Sequence, residues 1–174
     1  MGDPKKQRKK RHRPRHPRRR DRLIEEARLA GEYGLRNRRE IRKAKELLRH
    51  IRKRARRLLA LPPEEAEAEA KELLAKLHQM GLITKPDATL DDILSLTVRD
   101  ILERRLQTIV YRMGLARSIR EARQMIVHRH IMVNGTVVNA PGYLVKIDDK
   151  IEFKPTSPFA KRMKEEESGN GEAV

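Results

Sequence analysis

Residues 104–153 read RRLQTIVYRMGLARSIREARQMIVHRHIMVNGTVVNAPGYLVKIDDKIEF, and the fold is decided in this stretch. Ser118-Ile-Arg-Glu121 has the spacing of a capping box: the serine hydroxyl takes an orphan N–H of the new helix and the glutamate reaches back. The helix it opens runs to about Arg129. Along it Ile119, Ala122, Met125 and Ile126 point one way, while Arg120, Arg123, Gln124 and His128 fall at i, i+3, i+4 and i+8 on another side. One face packs and the other is available for binding. Asn134-Gly135 then supplies the two positive φ values of a type I′ turn, which predicts a hairpin from 131–133 and 136–139. Further short strands are expected at 144–147 and 150–153, on either side of Asp148-Asp149.

Upstream, Thr97-Val-Arg-Asp100 is a second cap, opening one helix whose Val98, Ile101, Leu102, Leu106, Ile109, Val110 and Met113 form a broad apolar face closed by Gly114. The loop 84–88 is a candidate boundary. Before it, Pro62 and Pro63 start an acidic-then-apolar helix over 63–80, with Ala66, Ala70, Leu73, Leu74, Leu77 and Met80 inward and Gly81 as its stop. Asn37-Arg-Arg-Glu40 is another capping pair. The stripe after it is Ile41, Ala44, Leu48, Ile51, Ala55 and Leu58, and the other faces are crowded with Arg and Lys. A shorter helix begins at Asp21, with Leu23, Ile24, Ala27 and Leu29 for packing, and is broken by Gly31 and Gly34.

Charge restricts the partner. The 174 residues carry 42 Lys and Arg against 25 Asp and Glu, a net +17, with only 3% aromatic residues, so a polyanion is the first expectation. By segment the net charge is +10 over 1–20, +8 over 21–60, −6 over 61–103, +9 over 104–164 and −4 over the last ten residues, which separates two basic surfaces by an acidic one. The arm 1–20 has too little apolar surface to fold alone and is read as disordered until it meets phosphate. The Glu-rich tail 161–174 is read as mobile.

No apolar run approaches the ~18 residues of a membrane span, and the N-terminus lacks a signal peptide's apolar core, so a soluble cytosolic protein without membrane association is expected. The chain has no Cys, which removes disulfides, thiolate zinc sites and cysteine nucleophiles. Glu64, Glu65, Glu67 and Glu69 sit where the helix dipole favours acids, and Ser118 sits where a cap belongs, so neither is assigned catalysis. His128 and His130, or His12 and His16, lack the acidic neighbours a metal needs amid so many cations; no metal and no cofactor is expected.

Arg105-Leu106, Gly114-Leu115-Ala116, Ser118, Glu121 through Ile126, His128, Ile131, Val133-Asn134-Gly135, Val138, Pro141 and Val145 together resemble the S4-type RNA-binding domain at essentially full length. The flanks GEYGLRNRREIRKAKELL (31–48) and LTVRDILERRLQTIVYRMGLA (96–116) look like the archaeal type of the ribosomal small-subunit protein four family. That resemblance implies a non-enzymatic constituent of the small ribosomal subunit, in the cytoplasm. It would bind small-subunit ribosomal RNA directly, nucleate assembly and touch neighbouring small-subunit ribosomal proteins, with no small-molecule substrate.

Carried over by position, it implies RNA contacts at Arg104, Arg105, Arg117, Ser118, Arg120, Arg123, Gln124, His128, Arg129, His130 and Asn134. Charge adds Arg49, Arg52, Lys53 and Arg56 on the long helix. It also adds Lys5, Lys6, Arg8, Lys9, Lys10, Arg11, Arg13, Arg15, Arg18, Arg19 and Arg20 in the arm. Two departures are visible: the zinc-binding cysteines common in the bacterial branch are absent, and Asp148-Asp149 stands where Gly-Asp is common.

The expected architecture is α+β: arm 1–20, helical domain 21–97, S4-type module 98–160, tail 161–174. Two rivals fit less well. For an RNA-modifying or tRNA-related factor carrying such a module, the remaining helices offer no glycine-rich phosphate loop and no catalytic Asp in a strand context. For a helix-turn-helix DNA-binding protein, the hairpin directly after the second helix and the basic arm favour folded RNA instead.

Overall fold

The apolar stripe of the long basic helix is the seam on which the first core is built. The computed structural model describes residues 12, 14–85 and 88–160; the arm cations Lys5, Lys6, Arg8, Lys9, Lys10, Arg11 and Arg13 and the tail 161–174 lie outside the described residues. α2 (Arg38–Leu59) buries all of Ile41, Ala44, Leu48, Ile51, Ala55 and Leu58. Each large apolar member contributes about 1.5–3 kcal/mol by leaving water. Against α2 pack α1 (Arg20–Glu32), α3 (Pro63–Gln79), α4 (Leu90–Ser95) and α5 (Val98–Glu103). Short α4 and α5 are fixed at their starts by reciprocal capping boxes, Thr89 with Asp92 and Thr97 with Asp100. α1 runs through Gly31; Gly34, at φ 57, is where the chain turns.

The helix expected across 98–113 is two helices. Arg105 takes an extended conformation (φ −74, ψ 141), and α6 (Leu106–Arg112) starts after it. The freed backbone pairs with the segment expected as a strand at 144–147. Leu106 N–H donates to Tyr143 O at 2.8 Å, Val145 N–H to Arg104 O at 2.9 Å, and Arg105 and Leu144 form an isolated antiparallel bridge. Ile147 N–H meanwhile reaches Gln79 O at the end of α3, at 3.1 Å. That segment therefore ties the two halves of the chain together instead of extending the sheet.

α7 (Ile119–Val127) packs on α6 and ends at His128; Arg129, placed by the sequence reading in the helix, is left-handed at φ 64. Then come β1 (Ile131–Val133), β2 (Thr136–Val137) and β3 (Ile151–Phe153), antiparallel in the order β2-β1-β3. The turn between β1 and β2 has Asn134 at φ 50 and Gly135 at φ 76, the two positive values its residues predict. A second core forms from Leu106, Val110, Ala122, Met125, Ile126, Ile131, Val133 and Val145. The first core ends at Leu102, so α5 packs with the helices before it, and the helix break at Arg104 and Arg105 is the seam between cores.

Candidate nucleic-acid interface

The outer edge of α7 is held in place by its cap. Ser118 Oγ accepts from Glu121 N–H at 3.1 Å, while the Glu121 carboxylate accepts from Arg117 N–H at 2.7 Å, one residue earlier than a strict capping box. Arg120, Gln124 and His128 then lie exposed along one line of the helix. Among the described residues, the side chains of Arg120 and Gln124 have no hydrogen-bond or ion-pair partner, and exposed Arg129 follows directly. Arg117 is also exposed, at the start of the same edge. His130 turns half inward: Nδ1 lies 3.1 Å from Ser157 Oγ, and the ring meets Phe159 edge-on at 5.0 Å.

The fold takes up four of the implied contacts. Arg105 is 5% exposed and donates from Nη2 to Glu40 Oε2 at 2.8 Å. Arg123, set among the binding residues by helical spacing, turns the other way. Its Nη2 donates to Glu40 Oε1 at 2.8 Å and its Nη1 to Gln107 Oε1 at 3.2 Å. Gln107, fully buried, completes the knot by donating to Gly34 O at 3.1 Å and Ile119 O at 2.9 Å. Burial opposes ionisation of Glu40, but hydrogen bonds from Arg123 and Arg105, reinforced by their charges, hold its carboxyl below the ordinary range. Glu40 was expected to cap α2; Asn37 does so alone, accepting from the N–H groups of Arg39 and Glu40 at 2.9 and 3.3 Å.

Arg104 crosses the same seam lower down, donating to Met80 O at 3.2 Å and Val145 O at 2.8 Å. Its guanidinium lies over Gly81, where a Cβ would come within 2.5 Å of it. Asn134 is used in the same internal way. Its Nδ2 donates to Asp149 Oδ1 at 2.8 Å and its Oδ1 accepts from Lys150 N–H at 2.9 Å, locking the hairpin turn to the Asp148-Asp149 turn. The Lys146 N–H, bonded to Asp149 Oδ2 at 2.9 Å, is the main influence holding that carboxyl below its usual range.

A second basic face lies along α2. Arg49, Lys53 and Arg56 are exposed at i, i+4 and i+7; Arg52 is half-buried and donates to Leu96 O. Arg49 is shared with Glu46, a buried carboxylate that also receives His12 at 2.8 Å and His50 at 3.0 Å. At the end of the arm Arg15, Arg18, Arg19 and Arg20 are exposed, and Arg22 pins the chain by donating to His16 O and Pro17 O. Arg57 and Lys43, two more of the cations on the outer faces of this helix, are also exposed. Lys43 lines a cleft of about 430 Å³ between α2 and residues 140–144, with Arg105 and Arg123 in the wall, and only the tertiary fold reveals that.

Among the described residues no cluster of three His, Asp or Glu is placed to hold a metal ion, and no helix is long and apolar enough to cross a membrane.

The chain matches two families along its length: "Ribosomal protein S4/S9 N-terminal domain" over residues 5–103 and "S4 domain" over 104–151. It is similar to the small ribosomal subunit protein uS4 of Hyperthermus butylicus, 56% identical over 176 residues covering 100% of this chain and 99% of the relative. The proteins of the same name from Ignicoccus hospitalis and Saccharolobus solfataricus are 57% and 52% identical, over 93% and 97% of this chain and 98% and 96% of their own lengths.

Proposed function

The chain belongs to the S4 family of small ribosomal subunit proteins, and from that premise we propose that it is a structural constituent of the subunit that binds small-subunit ribosomal RNA directly and nucleates its folding. It works in the cytoplasm as part of the particle, as an architectural protein with no chemical step. The observation that carries the reading is the division of labour among its arginines. Arg104, Arg105 and Arg123 are bound inside the protein and fix the module against the helices, whereas Arg120, Gln124, His128 and Arg129 project from the module so positioned. Rigid placement of exposed cations suits recognition of a folded RNA by shape. Arginine adds bidentate phosphate contacts that lysine cannot make.

In this reading affinity comes chiefly from phosphate contacts along α7, the outer face of α2 and the arm, each releasing counterions. Fit comes from the module that follows the helix break at Arg104 and Arg105, held against the helical part before it. The acidic stretch 61–103 is the natural face for basic ribosomal neighbours, since it would repel RNA.

Chemical footprinting of small-subunit ribosomal RNA with the wild type and with Arg120→Glu/Arg129→Glu is the test. The wild type should protect a compact set of helices, and the double variant should lose part of that protection while its circular dichroism is unchanged. A variant footprint identical to the wild type's would remove α7 from the interface, and no wild-type footprint at all would refute the function.

A further inference from the structure

Where α7 gives way to β1, the chain builds a recess that phosphate binding leaves unexplained. It has a volume of about 240 Å³ and is lined by Glu121, Gln124, Met125, His128, His130 and Phe159. That is just below the ~300 Å³ at which pockets for drug-sized molecules begin, so it suits a single flat ring system. We propose that this recess receives one unstacked nucleobase of the bound ribosomal RNA, held between the imidazoles of His128 and His130; the proposal rests on the RNA-binding reading above.

Three features point to a base. The two imidazole centroids are 6.5 Å apart with the ring planes at 34°. A base sandwiched between parallel rings needs roughly 7 Å, twice the ~3.4 Å spacing of stacked bases. A small outward rotation of His128 supplies the difference, and that ring is exposed and free to make it.

The opposite wall is rigid. His130 is held through Nδ1 by Ser157 Oγ, which is itself buried, and is braced edge-on by Phe159; Phe159 N–H in turn donates to the same Ser157 Oγ at 3.3 Å. One fixed wall and one adjustable wall make a clamp.

The rim carries the polar complement. Gln124 lines the recess with an amide that has no partner among the described residues, so it can both donate to and accept from the edge of a base. Arg129, between His128 and His130 in the chain, is left-handed at φ 64 and exposed, which leaves its charge available for the phosphate of a splayed-out nucleotide. Splayed-out bases stacked on aromatic rings are the usual way that proteins read RNA outside its helices.

The test uses the full chain and transcribed small-subunit ribosomal RNA, with His128→Ala, His128→Phe and His128→Lys. His128 is exposed, so the three variants should fold alike. Stacking predicts that Ala and Lys each weaken binding about tenfold and that Phe stays within about threefold of wild type. It also predicts that one nucleotide, protected from base-modifying reagents by the wild type and the Phe variant, becomes reactive with Ala and Lys. The slope of affinity against log salt should be the same for Ala and wild type, because no phosphate contact is lost. Lys matching the wild type, Phe failing as badly as Ala, or no nucleotide changing reactivity would each overturn the clamp while leaving RNA binding intact. Absence of wild-type binding would instead refute the function on which the clamp rests.

Discussion

Glu40 and Arg105, 65 residues apart in the chain, meet at 2.8 Å on the seam between the two hydrophobic cores. With Arg123 on the other carboxylate oxygen at 2.8 Å, the start of α2 is bound at one atom pair to the helix break and at another to α7. One carboxylate and two guanidinium groups therefore help to set the position of the module on the helical part, beside the bonds of Arg104 to Met80 O and of Ile147 N–H to Gln79 O.

Arg105→Met should be costly. It leaves Glu40 with one partner in a largely buried setting, and losing one member of such a pair costs about 3 kcal/mol or more. Arg123→Met should cost less, about 1–2 kcal/mol, because its side chain is 23% exposed and part of its interaction is screened by water. Urea unfolding of the two variants measures both, and equal losses for a buried and a partly exposed arginine would contradict the assignment. Arg123→Glu, which the sequence alone would recommend as a test of RNA contact, places two carboxylates together and should destabilise the fold itself.

Gly34 packs where α1 ends against α6 and α7. Its φ is +57, and a Cβ there would lie 2.8 Å from Gln107 Nε2 and 2.9 Å from Ile119 Cγ2. Gly34→Ala should cost about 2–4 kcal/mol, combining left-handed strain with overpacking. Gly114→Ala has a similar φ of +74 but nothing within 4 Å, so strain alone acts, about 1–2 kcal/mol. Thermal melts of the two should separate them, and a Gly34 variant as stable as the Gly114 variant would show that the contact with Gln107 is loose.

Glu46 gives the protein an acid-sensitive point. Hydrogen bonding from Arg49, opposed by burial and helped by His12, lowers its carboxyl from the ordinary 4.5 to about 2. Because the folded-state value lies below the unfolded one, its stabilisation is complete above about pH 4.5 and is lost as the pH falls through about 2. Glu40 is shifted in the same direction and acts in the same acid range. Melting temperatures followed from pH 7 to 2 should drop less steeply below pH 4.5 in Glu46→Gln than in the wild type; superimposable curves would remove Glu46 from the acid response.

What local chemistry controls was legible in the sequence. The caps at Asn37, Thr97 and Ser118, the stripe of α2 and the turn at Asn134-Gly135 follow from spacing of a few residues, and the structure shows each of them. What long-range pairing controls was not. Leu102, Leu106, Ile109 and Val110 keep helical spacing with no Gly or Pro among them, so nothing local marks a break at Arg105. The break exists because residues 141–145 offer that backbone strand-like partners from beyond α7 and the hairpin. For the same reason helical spacing placed Arg123 beside Arg120 on the binding side. Whether an arginine at i+3 faces outward depends on Glu40, which only the folded chain brings near.

In the proposed function a shaped cationic surface, and not charge alone, directs this protein to ribosomal RNA. Affinity for folded small-subunit ribosomal RNA and for a DNA duplex of equal charge, measured at the same salt concentration, tests it most directly. Binding to the RNA should be at least about tenfold tighter, with the advantage persisting as salt weakens both. Equal affinity for the two polyanions at every salt concentration would contradict it.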